Sequence, residues 1–143
     1  FYNMGRYYYY AASGLKDSTS ASAKEKAKAF LKSADQAFGV VSVRKHDSYL
    51  GYLWRARTNA ILDPETTEGL ATPYYEQTVA VISAKQNGAT NNKSELIESY
   101  RYLAYYYYLK ADKANSISYC NKLLSLDPEN QTAKAILGDL NKK

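Results

Sequence analysis

Apolar positions recur at helical spacing along most of this chain, and the clearest case lies between Leu96 and Asn130. From Leu96 to Lys110, the residues Tyr100, Leu103, Ala104 and Tyr107 fall three and four apart, which puts them on one helical face. After a break at Ala111-Asp112, a second run carries Ser116, Cys120, Leu123 and Leu124 on one face and stops at Asp127-Pro128. Proline cannot continue a helix, and the residue before it avoids the helical region, so two helices folded back on each other are predicted. The same alternation recurs upstream. Phe1, Met4, Gly5 and Tyr8 mark a first helix, and mid-helix Gly5 has the character of a close-packing site. The small, polar stretch Ser13 to Ser22 reads as a loop. A long helix from Ala23 follows, with Ala27, Phe30, Leu31, Ala34, Phe38 and Val41 as its stripe. Asp47-Ser48 is a capping pair before a helix carrying Tyr49, Tyr52 and Ala56 that ends by Leu62-Asp63-Pro64. A loop from Glu65 to Gly69 leads to a helix with Pro73 in its first turn and Ala71, Tyr75, Thr78, Val79 and Ile82 as its stripe. Lys85 to Lys93 lacks periodicity and reads as a linker, with Asn92 and Glu95 spaced as a variant capping box. Gln131 to Leu140 is a last helix.

The order Tyr100, Leu103-Ala104, Tyr107, Ser116, Cys120, Pro128 resembles the tetratricopeptide repeat, a 34-residue helix-turn-helix unit. Tyr100, Ala104, Ser116 and Cys120 stand where that pattern has Trp, Gly, Ala and an aromatic, each keeping a size class suited to a helix–helix contact. Leu137-Gly138 comes one 34-residue period after Leu103-Ala104, and the run Tyr7 to Tyr10 recurs as Tyr105 to Tyr108. His46 falls where a repeat's terminal proline would stand, while Arg55 and Asn59 are polar where Leu and Tyr are usual. The resemblance implies an all-α fold, a right-handed α-α superhelix of about three repeats (1–46, 47–85 and 94–130) with a capping helix over 131–142. That makes seven helices in a single domain. The start at Phe1, without an initiator Met, is expected of a fragment of a longer protein. The segments YLGYLWRARTNAILDPET and GLATPYYEQTV are similar to repeat proteins of Bacteroidetes-type bacteria, many of them exported, which favours a periplasmic or envelope site over the cytoplasm.

At 143 residues, with 45% hydrophobic and 23% charged residues, the chain can bury a core and is not of disordered composition. No apolar run reaches the length of a membrane-spanning helix, so membrane insertion is not expected. The net charge of +5 would permit an acidic or nucleic-acid partner, but the lysines are scattered over amphipathic segments, and a solvated surface accounts for them. Single-stranded RNA binding is therefore the weakest of the functional readings.

The inventory for catalysis is thin. His46 is the only histidine and stands near a helix end; Cys120, the only cysteine, occupies a packing position. Asp63-Pro64-Glu65 and Asp127-Pro128-Glu129 recur at helix ends and read as turns. No phosphate loop, zinc-type spacing or nucleophile elbow is present, so neither a cofactor nor a metal is expected, and the chain does not read as an enzyme. Trp54 lies off the repeat's signature face and reads as packing.

In the family resembled, first helices line a concave groove, with groove residues about one, five and eight places after the opening aromatic. The resemblance therefore nominates Tyr2, Arg6 and Tyr9 in the first repeat, Leu53, Arg57 and Ala60 in the second, and Arg101, Tyr105 and Tyr108 in the third. Arginine presents a planar fork for carboxylates and tyrosine a rigid amphipathic surface, which points to a peptide or protein partner of acidic character. The family's Lys and Asn carboxylate clamp is not carried over, because Tyr2 and Arg6 take its first places. The competing reading is an architectural or self-association module.

Overall fold

The computed structural model describes residues 1–142, and among them it contains eight helices and no strand. They are α1 (Tyr2–Ser13), α2 (Ala21–Arg44), α3 (Leu50–Leu62), α4 (Thr72–Ser83), α5 (Gly88–Asn91), α6 (Lys93–Leu109), α7 (Lys113–Leu126) and α8 (Gln131–Asn141). The additional helix, α5, corrects the reading of 85–93 as a structureless linker: Asn87 turns the chain at φ 58° and buried Gly88 begins a single turn. Asn92 then leads into α6 without a side-chain cap, so the capping box anticipated from Asn92 and Glu95 does not form. Asp112 and Asn130 do cap α7 and α8, through the amides of Asn115 and Ala133. Two compact units divide the chain within α4, one over Phe1–Tyr74 and one from Tyr75 onward.

In the first unit, α1 and α2 run antiparallel. Gly5, near the start of α1, faces the ring of Phe38 late in α2, while Tyr8 meets Phe30 earlier in α2. A Cβ on Gly5 would come within 2.8 Å of that ring, which is why a glycine sits there. Phe38 is fully buried and stacks on Trp54 at 5.5 Å. The return from α2 to α3 is antiparallel too, with Ser42 against Gly51 at one end and Asp35 beside Arg55 and Asn59 at the other. Here the two polar departures from the repeat pattern find their reason. Arg55 donates through Nε and Nη2 to the two oxygens of Asp35, each at 3.0 Å, and Asn59 donates to the same carboxylate at 2.7 Å. The hydrogen bond to Asp35 raises the Arg55 pKa against the opposing effect of burial, and Tyr74 lies under the guanidinium at 4.3 Å.

Asp63 organises the loop between α3 and α4. Its carboxylate accepts backbone N–H bonds from Thr67, Glu68, Gly69 and Leu70. These hold Thr66, a β-branched residue, at φ 55°, a left-handed conformation costing on the order of 1–3 kcal/mol. Burial alone would raise the Asp63 pKa, but the amides of Leu70, Glu68, Gly69 and Thr67 together hold it below the ordinary 3.8. A depressed carboxylate pKa stabilises the fold above its unfolded value, and that contribution disappears as pH falls through the folded value. Asp63→Asn is expected to cost roughly 2 kcal/mol at neutral pH, the worth of hydrogen bonds to a charged acceptor. The gap in thermal midpoint between wild type and variant should narrow as pH falls below 3.8; a gap independent of pH would show that the charge is immaterial.

In the second unit, α6 and α7 form a further antiparallel hairpin, with Tyr100 beside Tyr119 and the Ser116 hydroxyl bonded to the Ala104 carbonyl. Leu96, Leu103, Ala104, Cys120 and Leu123 are buried, and α8 adds Ala133, Ile136 and Leu140. Cys120 is fully buried, and burial raises its thiol pKa against a bond with Ser116, which suits packing rather than a reactive thiolate. None of the run Tyr105 to Tyr108 is fully buried. Tyr107 lies parallel to Tyr119 and donates to Glu76, and that bond, more than burial, raises its pKa.

Candidate functional site

The nominated residues fall into two sets, one in each unit. In the first unit, Tyr2, Arg6 and Tyr9 recur along α1 and gather at Trp54. The rings of Tyr2 and Tyr9 lie 6.4 and 5.2 Å from the indole, both edge-on. The Arg6 guanidinium is exposed and stands 5.7 Å from the indole, 5.7 Å from Tyr2 and 5.8 Å from Tyr10. From α3, Arg57 reaches the same indole at 4.9 Å. Trp54 is the hub that joins this set, although it is itself only 8% exposed. Its packing role agrees with the sequence, and Arg57 stands three residues on along α3, but its pairing with Arg6 of α1 is visible only in three dimensions. Leu53 is a correction. At 2% exposure its side chain is part of the core, because the face of α3 that carries it is turned inward.

In the second unit, Arg101, Tyr105 and Tyr108 line a cavity of about 580 Å³ together with Tyr75, Glu98, Tyr102, Thr132, Ala135 and Ile136. Residues 98, 101, 105 and 108 follow helical spacing on α6, so this wall is legible from periodicity. The opposite wall, from α8, and the contribution of Tyr75 have no signal short of tertiary packing. Tyr75 is buried and donates its hydroxyl to Glu98 at 2.9 Å, with its ring 4.8 Å from that of Tyr102. Tyr108 donates to Asp139, and its ring lies near-parallel to that of Tyr105 at 6.4 Å. Arg101 is exposed and makes no hydrogen bond or ion pair among the described residues.

Among the described residues, no group of three or more His, Cys, Asp or Glu is placed to hold a metal ion, and no helix is long and apolar enough to cross a membrane. What the geometry offers instead is cations set among tyrosines on helical hairpins. Successive antiparallel hairpins closed by a last helix define the class of α-α repeat proteins.

Within that class, the chain is similar to the crystal structure of the C-terminal part of a TPR repeat-containing protein from Cytophaga hutchinsonii. The two share 35% identity over 93% of this chain, with a TM-score of 0.71, and the match spans 46% of the other chain. The repeat signature and this likeness make the chain similar to tetratricopeptide-repeat proteins, all-α and of the α-α superhelix fold class. This repeat fold is a noncatalytic scaffold type. No protein-family model matches the sequence, and no curated protein does.

Proposed function

We propose that this chain is a noncatalytic interaction scaffold that binds a segment of a protein partner against its first-helix residues, with arginines meeting acidic side chains of that segment. The observation that supports it is the cavity where Arg101, Tyr105 and Tyr108 converge. Tyrosine and arginine are enriched among residues that carry binding energy, since they bring large contact area and directed hydrogen bonds. Arg101 is exposed and has no hydrogen-bond or ion-pair partner among the described residues, so a carboxylate can reach it without breaking a contact seen there.

A photo-crosslinking residue in place of Tyr105 captures the partner, whose affinity is then measured for the wild type and for Arg101→Glu. Reversing the charge should weaken binding by roughly a hundredfold, as expected when an attractive contact becomes a like-charge one. The helical circular dichroism should be unaltered. Equal affinity of the two proteins would remove Arg101 from the site and this reading with it.

A further inference from the structure

The cavity of the second unit holds chemistry that arginine-to-carboxylate pairing leaves unused. Four of its lining residues are tyrosines and one is Glu98. The Tyr75 and Tyr108 hydroxyl protons are given to Glu98 and Asp139, and a phenol that has donated its proton offers only lone pairs. These hydroxyls therefore cannot donate to an occupant. Donation to a carboxylate also leaves the ring more electron-rich, which strengthens its attraction for a cation over its face. Tyr105 and Tyr108 present near-parallel rings, and Ala135 and Ile136 supply apolar surface from α8.

From this arrangement we propose that the cavity receives a basic side chain, arginine or lysine, from the bound segment. The methylene stem lies along Ala135 and Ile136 and the charge meets the tyrosine faces and Glu98. Beside Tyr75 and Tyr108 an acidic occupant is disfavoured, since it would face Glu98 and two oxygens that cannot donate, with Asp139 behind Tyr108. Arg101 is the one cation among the lining residues, and it is exposed. It is available to a carboxylate next to the basic residue, so the segment read here is of mixed charge. This inference rests on the peptide-binding reading and specifies which side chain enters the cavity.

The test uses the full chain and short peptides with blocked ends, followed by the NMR shifts of the tyrosine rings. The parent peptide is acetyl-Gly-Glu-Arg-Ser-Gly-amide; in one analogue norleucine replaces the arginine, and in another glutamine replaces the glutamate. The parent should bind roughly tenfold more tightly than the norleucine analogue, a difference within the range of desolvated cation–π contacts. Tyr105→Leu, a change at a 42% exposed site whose unchanged circular dichroism would report an intact fold, should abolish that preference. Norleucine binding as tightly as arginine, or no saturable shift with any peptide, overturns the basic-side-chain assignment. The glutamine analogue tests the arginine–carboxylate reading separately. Loss of the glutamate preference with retention of the arginine preference would sink that reading and leave this one standing.

Discussion

Replacing Phe38 with alanine is expected to cost about 3–5 kcal/mol, the range for emptying an aromatic site in a close-packed core. Phe38 has no exposed surface, and it sits where three helices of the first unit meet. Its ring covers backbone-only Gly5 of α1 and stacks on Trp54 of α3, with Tyr2 inclined against it at 6.3 Å. The space left by its removal is hard to refill. Gly5 has no side chain to move in, and Trp54 is fixed edge-on by Tyr2, Tyr9 and Tyr10. A domain is commonly stable by only about 5–15 kcal/mol, so the loss is a large part of the total. Trp54 is the only tryptophan in the chain, and its fluorescence reports on this contact directly. The urea midpoint read from that fluorescence should fall sharply in Phe38→Ala. A midpoint within error of the wild type would mean that the α1–α2–α3 contact does not depend on this ring.

What was legible in the sequence was whatever periodicity alone decides. The inward positions of Leu103, Ala104, Ser116, Cys120 and Leu123 follow from three- and four-residue spacing, and each is buried. The end of α7 at Leu126 follows from Pro128, and mid-helix Gly5 signals close approach before the approaching group is known. Contacts between helices were not legible. Arg55 and Asn59 look like defects in a repeat until the register of α2 on α3 brings Asp35 to them from 20 and 24 residues away. The capping box at Asn92 fails because α5 arrives directly before it: the Asn92 amide closes that turn on the Gly88 carbonyl. For the candidate site, helical spacing nominates Arg101, Tyr105 and Tyr108 together, but the depth of their cavity is set by Thr132, Ala135 and Ile136 on another helix. The same spacing rule places Leu53 on an open face, and packing puts it in the core.

One substitution made at two glycines should give opposite signs, and the difference measures how much of the fold depends on backbone proximity. Gly138 lies inside α8 and Gly51 in the first turn of α3; in a helix interior glycine costs roughly 0.5–1 kcal/mol relative to alanine. By propensity alone, both changes to alanine would stabilise. At Gly138 nothing lies within 4 Å of where a Cβ would stand, so Gly138→Ala should raise stability by about that amount. At Gly51 the added carbon would sit 2.5 Å from the Ser42 backbone nitrogen and 2.7 Å from its Cα. Those are main-chain atoms of a neighbouring helix, and no rotamer change can move them. Relief requires α2 and α3 to separate, which loosens the Asp35–Arg55–Asn59 bonds formed further along the same pair. Gly51→Ala should therefore destabilise by about 3 kcal/mol or more, at the upper end for overpacking, despite the gain in helix propensity. Thermal and urea unfolding of the two variants decide the point. A stabilised Gly51→Ala would show that the two helices tolerate a wider separation, and the tight α2–α3 approach would then not be what selects glycine at this position.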